Sequence, residues 1–352
     1  MSDTRLEKLL NLTIEEDASD LHISVGHPPV LRSGRQLIPL VKKKKITFEE
    51  SKKMAFELMT EEQKDRLMRE KGVDFSYNFQ GKARFRVNTF FERGNISIAL
   101  RLIPTEIPTI EELNLPSVLH EFTRRKQGFV LVTGPSSHGK STTLAALIDE
   151  INRTRADHII TIEDPIEYVF DDDRSIIDQR EVGQDALGFH KALRSSFRQD
   201  PDVIMVGEMR DVETFAAALT AAETGHLVFS TLHTSTAVET VTRIVDMFPA
   251  DRESQVISQL ASTLRAVICQ QLLPRVDGGR IGAREVMINN NAITNLIRSK
   301  KFKQIYTSIQ TGRKEGMITM NKSIDNLLEQ GYISKEVADR KKRNLDTKAT
   351  YY

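Results

Sequence analysis

The sequence GPSSHGKST, residues 134–142, fits the pattern G-x-x-x-x-G-K-S/T of a phosphate-binding loop. It lies between an apolar run at residues 129–133, typical of a strand, and a stretch with helical periodicity at residues 141–152. In that setting the amide hydrogens of the loop and the positive end of the helix surround phosphate groups. Lys140 then reaches the β and γ oxygens of ATP, and Ser141 ligates Mg²⁺. The predicted nucleotide-binding residues are Gly134, Ser136, Ser137, His138, Gly139, Lys140, Ser141 and Thr142.

Further apolar runs follow the loop at residues 158–162, 203–206 and 227–231, with helical segments between them. Continuous apolar strands that alternate with helices are typical of a largely parallel sheet covered on both faces. The predicted fold class is therefore α/β. The alanine-rich segment 211–224, closed by Gly225, is predicted to be one of the covering helices.

The chain has 352 residues, more than a single hydrophobic core usually supports. Three prolines, Pro104, Pro108 and Pro116, indicate a semi-rigid linker between two domains. Helices are expected after Arg284. The predicted parts are an N-terminal α+β domain at 1–105, a linker at 106–116, an α/β core at 117–285 and a C-terminal helical subdomain at 286–352.

The N-terminal part mixes the two periodicities. Residues 6–18 and 48–71 have helical spacing, while residues 21–25 and 74–101 alternate as strands do. We predict that 48–71 is a helical stretch, and that 26–29 and 32–35 are turns between short strands.

Composition excludes several classes of protein. The 50 basic and 49 acidic residues give a formal net charge of +1, so contact with nucleic acid or anionic lipid has to be local. Cys269, the single cysteine, excludes a disulfide framework and a cysteine-based zinc cluster, and we predict that it is buried. No apolar run approaches the roughly 18 residues of a membrane span. We expect a cytoplasmic protein without direct membrane insertion, and lysines 42–45 in a solvated loop.

Acidic side chains follow two of the predicted strands. Glu208 comes soon after the strand 203–206, where an acid beside a phosphate loop holds Mg²⁺ or polarises the attacking water. The alternative for Glu208 is a helix N-terminal acid, a role that Asp211 serves better. Glu163 ends the strand 158–162 at the same predicted sheet edge, and it either activates water or forms a turn.

Two histidines flank the strand 227–231. His233 follows it on the edge that holds the phosphate loop and can contact a γ-phosphate, while His226 precedes it. A lone histidine is as readily a structural residue, and the spacing leaves both interpretations open.

These segments, in this order, resemble the secretion-ATPase superfamily and, within it, the type IV pilus retraction ATPase (PilT) family. The resemblance extends over nearly the whole chain. It rests on the segments Ala18 to Ser24, Ala83 to Asn88, Ile162 to Glu167, Val206 to Asp211, Ala221 to Phe229 and Ile309 to Gly312.

The resemblance implies an N-terminal PAS-like domain and a RecA-like ATPase domain, with nucleotide between them. It places Glu163 in an acidic box, Glu208 at the catalytic glutamate that also serves the metal, and His226 and His233 in a histidine box. It further implies a homohexamer at the cytoplasmic base of the pilus machine, peripheral to the inner membrane through a platform protein. A paralogous retraction ATPase is a further possible partner.

The family also supplies arginines from the N-terminal domain to the phosphates. Arg86 and Arg101 are the candidates, with Arg84 next. Without the resemblance, all three would be interpreted as exposed arginines on a sheet.

The phosphate loop departs from the family pattern, because Ser136, Ser137 and His138 replace Thr-Gly-Ser. If residue 137 has a positive φ, serine costs about 1 kcal/mol there relative to glycine. His138 is expected to place a titratable ring beside the phosphates.

Three other functions share some of these sequence features. The altered loop would suit an accessory subunit that binds nucleotide with weak or no turnover, although Lys140, Glu163 and Glu208 are intact. Assembly and secretion ATPases carry a four-cysteine zinc module, which a single cysteine opposes. A motor that moves along nucleic acid is disfavoured by the near-zero net charge, so no nucleic-acid partner is expected.

Overall fold

The computed structural model describes residues 4–33, 36–104 and 106–342. Contacts divide the chain into two compact units, Met1–Glu106 with Pro165–Val169, and Ile107–Asp164 with Phe170–Tyr352. Parts of the predicted domains, at 1–3, 34–35, 105 and 343–352, lie outside the described residues. Among the described helices, none has the length and apolar character that crossing a bilayer requires.

The first unit is built on a six-stranded antiparallel sheet in the order β3-β2-β1-β6-β5-β4. Its strands are β1 Asp20–Ile23, β2 Val30–Ser33, β3 Gln36–Pro39, β4 Gly72–Phe79, β5 Ala83–Glu92 and β6 Asn95–Ile103. Its helices are α1 Arg5–Glu15, α2 Phe48–Leu58 and α3 Glu61–Glu70. Alternation along β5 buries Phe85 and Val87 in the core of this unit.

The structure refines two predictions for this unit. The helical stretch expected over 48–71 is confirmed and consists of two helices, because Met59 is extended and Thr60 starts α3 with a capping box to Gln63. The turn expected at 32–35 is wrong for Arg32 and Ser33, which belong to β2, and residues 34–35 lie outside the described residues. The exposed loop expected at lysines 42–45 is confirmed.

The second unit contains a seven-stranded sheet in the order β13-β12-β7-β11-β10-β8-β9. Its strands are β7 Gly128–Thr133, β8 His158–Glu163, β9 Ile176–Glu181, β10 Val203–Val206, β11 Leu227–Leu232, β12 Leu264–Pro274 and β13 Arg280–Ile288. All pairs are parallel except β12 with β13. The four predicted strands and the largely parallel sheet are confirmed.

Helices cover this sheet and follow it. They are α4 Leu119–Thr123, α5 Lys140–Thr154, α6 Phe189–Ser196, α7 Val212–Glu223, α8 Ala237–Asp246, α9 Glu253–Thr263, α10 Asn291–Arg298, α11 Ile305–Thr311, α12 Met320–Glu329 and α13 Lys335–Lys341. The helical region expected directly after Arg284 starts later, because β13 continues to Ile288. Cys269 is fully buried on β12, as predicted.

Segment 107–116 is anchored within the second unit. Arg284, only 4% exposed, donates to the carbonyls of Asn114 at 2.9 Å and Leu113 at 3.1 Å. Burial lowers the pKa of Arg284 to about 10. Ile110 and Leu115 are buried beside this anchor.

His120 on α4 joins two glutamates in the same unit. Its Nδ1 lies 2.6 Å from Glu150 on α5, and its Nε2 lies 3.0 Å from Glu111. The hydrogen bond to Glu150 raises the pKa of His120, and the Glu111 carboxylate adds to the effect. The charged imidazolium therefore stabilises this junction.

Candidate functional site

The phosphate-loop sequence connects β7 to α5, as the pattern predicts. Strand β7 is buried along its whole length, so the loop starts from a fixed point in the sheet. Gly134, Ser137 and Gly139 have φ values of +143°, +62° and +79°. Backbone of this kind turns successive amide groups toward a common centre, which is how a nest binds anions.

Gly134 cannot carry a side chain in this fold. A Cβ atom at this position would lie 2.3 Å from the carbonyl oxygen of Gln270 on β12, a backbone atom that cannot rotate away. Lys140 is 8% exposed, and its Nζ donates to the carbonyls of Gly134 at 2.9 Å and Pro135 at 3.0 Å. The lysine therefore lies across the inside of the loop.

The start of α5 suits a bound phosphate. Its N-cap is Gly139, which has no side chain to accept hydrogen bonds from the first amide groups of the helix. Those donors and the helix dipole favour an external anion. Ser141 and Thr142 lie in this first turn, where a hydroxyl can reach a metal ion held by the phosphates.

His138 is held on the strand side of the loop. Its Nδ1 accepts from the amide of Leu272 at 2.9 Å, and its carbonyl accepts from Gln270 Nε2 at 2.6 Å. Burial lowers the pKa of His138, and the positive charges of Lys341, Arg280 and Lys140 lower it further. The neutral ring is therefore an acceptor for β12, a contact that the sequence did not indicate.

Ser137 is supported from the same side. Arg280 on β13 donates to the Ser137 carbonyl at 3.2 Å. The φ of +62° meets the condition under which serine is strained relative to glycine. Strands β12 and β13 thus brace Ser137 and His138, two of the three residues at which this loop departs from the family pattern.

Glu208 and His233 meet beside the loop. Glu208 follows β10 and His233 follows β11, and their nearest atoms, Oε2 and Nε2, are 3.6 Å apart. The other ring nitrogen of His233 lies 3.4 Å from Ser136 Oγ, so the histidine connects the acid to the loop. Arg210 pairs with the second oxygen of Glu208. Asp211 caps α7, as expected of the better helix-capping acid.

Glu163 ends β8 and is 7% exposed. Its Oε1 accepts from Thr161 Oγ1 at 2.7 Å and from Gln179 Nε2 at 3.2 Å. Gln179 on β9 also accepts from the amide of Phe170 at 3.0 Å. Sequence reasoning missed Gln179, because its role arises from the parallel register that places it opposite Thr161.

His226 is not brought to the phosphate loop. It precedes β11, and Leu227 pairs with Gly128, the first residue of β7, whereas the loop follows the last residue of β7. A six-residue strand of about 20 Å separates the two edges. The ring of His226 instead packs on Phe197 at 6.0 Å between centroids and contacts the Ala221 carbonyl at 3.0 Å.

Arg86 and Arg101 lie in the first unit. They face each other directly across β5 and β6 and line a cavity of about 180 Å³. Like charges in opposite positions of a sheet repel, so the pair requires anionic neighbours. Arg101 Nε donates to Asp20 at 3.0 Å, and Arg86 lies 3.9 Å from Glu167.

The second unit therefore collects loop donors, a lysine, two hydroxyls, two carboxylates and a histidine at the carboxyl edge of parallel strands. Such an edge is where open α/β sheets bind ligands. The set can bind a polyphosphate, hold a divalent cation and orient a water molecule for attack on phosphorus.

Comparisons with known proteins agree with this chemistry. Residues 3–314 match the family described as Type II/IV secretion system protein. The chain is 44% identical over 340 residues to the type IV pilus retractation ATPase PilT of Pseudomonas aeruginosa, covering 96% of this chain and 97% of that protein. It is 48% identical over 303 residues to a twitching motility protein of Neisseria gonorrhoeae, covering 86% and 81%.

The fold has a solved counterpart. A crystal structure of the pilus retraction motor PilT with bound ADP matches this structure with a TM-score of 0.91 and 46% sequence identity. The match covers 97% of this chain and 98% of that one.

Proposed function

The chain belongs to the Type II/IV secretion system protein family, and from the site that it carries we infer an ATPase motor that powers retraction of type IV pili in twitching motility. The chain binds nucleotide and hydrolyses ATP to ADP and phosphate. The observation that carries this conclusion is the junction of Ser136, His233 and Glu208 at the phosphate loop. It supports the proposal because an acid and a histidine lie beside the loop that is proposed to bind the γ-phosphate.

In the proposed mechanism, the loop and the start of α5 hold the phosphates. The amides of Gly139 and the first turn of α5 bind the β- and γ-phosphates, and Lys140 leaves its two carbonyl partners to contact them. Ser141 and Glu208 would hold Mg²⁺, which neutralises charge that develops on the phosphoryl oxygens.

The carboxylates orient the nucleophile. Glu208 accepts the proton of the attacking water or orients that water. His233 senses the γ-phosphate through its contact with Ser136. Glu163, whose Oε1 accepts from Thr161 and Gln179, is proposed to help orient the attacking water. Because these side chains end adjacent strands, the sheet fixes their spacing.

Arg86 and Arg101 are proposed to stabilise the transferring phosphoryl group. Their direct opposition across two strands concentrates positive charge at one point of the first unit. An arginine that faces the transferring phosphoryl group accelerates related reactions by roughly 10³-fold or more. Loss of either residue should lower kcat more than nucleotide affinity.

We propose a homohexamer in the cytoplasm, peripheral to the inner membrane through a pilus platform protein and working alone or with a paralogous retraction ATPase. The N-terminal PAS-like domain and RecA-like core, with limits at 105, 116 and 285, remain predictions of this proposal. Sedimentation equilibrium with and without nucleotide measures the subunit number.

Phosphate release by the purified protein tests the enzymatic part. We expect turnover in the wild type and loss of turnover in Glu208→Gln and Lys140→Ala, with Glu208→Gln still binding ATP. A wild-type rate no higher than that of the two variants would favour the alternative, an accessory subunit that binds nucleotide with weak or no turnover.

Deletion of the gene tests the direction of force. More surface pili together with lost twitching supports retraction. Cells without pili would instead indicate an assembly motor.

A further inference from the structure

One segment of the first unit is strongly basic although the whole chain is nearly neutral. Between Asp20 and Glu49 the sequence contains no acidic residue, while it contains Arg32, Arg35 and four consecutive lysines at 42–45. The formal net charge of the entire chain is only +1. The positive charge is thus concentrated locally.

The same segment exposes aliphatic side chains. Leu37 is 53% exposed and Ile38 is 46% exposed on β3, the edge strand of its sheet, and Val41 in the following turn is 79% exposed. We call Leu37, Ile38, Val41 and lysines 42–45 the basic apolar patch. Exposed aliphatic groups beside a lysine cluster distinguish it from an ordinary solvated loop, which is polar throughout.

The lysines are presented by an ordered turn. The amide of Lys43 donates to the Leu40 carbonyl at 2.8 Å, and the amide of Leu40 donates to Pro29 at 2.9 Å. Arg5 donates to the carbonyl of Lys44. The buried Ile46 closes the turn through its amide, which donates to His27 at 2.9 Å. The backbone of the patch is therefore fixed before any partner binds.

Within the described part of the chain, lysines 42–45 form no ion pair. Other lysines of this unit do, since Lys64 lies 2.7 Å from Glu61 and Lys53 lies 3.9 Å from Glu57. Edge strands often carry lysine or proline to prevent pairing with another chain. Protection of the edge explains Pro39. It does not explain the exposed Leu37 and Ile38, because β3 itself carries no charged residue that would prevent pairing there.

We propose that the basic apolar patch binds the anionic surface of a lipid bilayer directly. Clusters of four to eight basic residues are attracted to anionic leaflets, and exposed aliphatic groups add contact with the acyl boundary. Lysine suits a fluid headgroup layer because its ammonium is a point charge without directional geometry, whereas arginine suits the fixed carboxylates of a protein partner.

The contact is separate from the nucleotide site and adds to docking through a platform protein. It involves surface attachment without insertion of a helix. Its failure would leave the proposed ATPase function unaffected, because none of the patch residues belongs to the phosphate loop or its acids.

Sedimentation of the full-length protein with vesicles tests the proposal. The vesicles are phosphatidylcholine alone, or phosphatidylcholine with about 30% phosphatidylglycerol. We expect binding to the anionic vesicles only, weakened by high salt because screening shortens the range of the attraction. The variant K42Q/K43Q/K44Q/K45Q should lose at least about tenfold in partitioning.

The matched control is K300Q/K301Q/K303Q/K314Q, which removes the same charge from exposed lysines of the second unit. It should bind vesicles as the wild type does. Phosphate release and thermal melting verify that both variants fold. If the quadruple patch variant does not fold, K43Q/K45Q removes half of the charge and should bind anionic vesicles more weakly than the wild type.

Three results would overturn the proposal. The first is equal binding to neutral and anionic vesicles, or no binding to either. The second is a loss of vesicle binding in the control variant as large as that in the patch variant. The third is binding to poly-L-glutamate without binding to vesicles. The last result would identify an acidic protein partner instead.

Discussion

Replacement of His138 tests whether the unusual phosphate loop depends on its contact with β12. His138→Ala removes the acceptor of the Leu272 amide, whereas His138→Asn keeps an acceptor oxygen at nearly the same distance from the backbone. Loss of one such hydrogen bond destabilises the loop conformation by about 1 kcal/mol. That energy corresponds to about a fivefold change in an equilibrium constant. We therefore expect His138→Ala to bind ADP about fivefold more weakly near neutral pH, with His138→Asn close to the wild type.

The same contact predicts a pH dependence. Only the neutral ring accepts from Leu272, and the folded-state pKa of His138 is lowered from 6.5, mainly by burial. A lowered pKa in a base means that the unfolded chain binds the proton more readily. The stability contributed by this ring is therefore complete above pH 6.5 and is lost as pH falls through the folded-state value.

Titration with a fluorescent ADP analogue at a series of pH values measures both effects. Ionisation of the ligand's own phosphate affects every variant equally, so the comparison with His138→Asn isolates the histidine. Wild-type affinity should fall more steeply on acidification than that of His138→Asn. Equal affinity of His138→Ala and the wild type near neutral pH, or parallel pH profiles, would refute the brace.

Three further predictions concern the same unit. Gln179→Ala should lower kcat several-fold with little change in KM, because Glu163 loses a hydrogen-bond donor that orients it; phosphate release measures both constants. Gln179→Glu should be as slow, because a carboxylate cannot donate that hydrogen bond. Gly134→Ala should lower the free energy of unfolding by roughly 2–5 kcal/mol, because backbone strain adds to steric overlap with the Gln270 carbonyl. Gly331→Ala, with open space around it, should lower it only by the backbone strain of roughly 1–2 kcal/mol. Urea unfolding measures both losses, and ADP binding should be weakened only in Gly134→Ala. The glutamate partners of His120 favour the imidazolium, so the wild type has extra stability below pH 6.5 and loses it as pH rises through the raised pKa. His120→Gln should lack this extra stability at low pH, and a series of thermal melts at different pH values detects the difference.

The sequence was sufficient where the signal is local. The phosphate loop, the four apolar strands and the Asp211 cap each depend on a few neighbouring residues, and each is found as predicted. Pairing of these strands in parallel then places Glu163, Glu208 and the loop at one edge without further information. The same topology removes His226 from that edge, a consequence that the resemblance alone did not show.

Contacts between distant strands could not be predicted. Gln179 reaches Glu163 only through the register of β8 with β9, and Leu272 reaches His138 only because β12 extends beyond the end of β7. The break before α3 was missed because helical periodicity continues through Thr60, whereas the capping box starts a new helix there. Periodicity reports burial, and it is insensitive to a short interruption.

The brace from β12 and β13 explains how the loop accommodates residues that depart from the family pattern. Strand β7 ends at Thr133, paired with Cys269, so the next residues of β12 have no strand neighbour on that side among the described strands. The Leu272 amide would then lack a partner, and His138 supplies one that a serine is too short to reach in the same way. Gln270 and Arg280 donate hydrogen bonds to the carbonyls of His138 and Ser137. These bonds keep Ser137 in a strained conformation that glycine would adopt without strain. The strain at 137 and the histidine at 138 are thus linked, and glycine at 137 should reduce the dependence of ADP binding on His138.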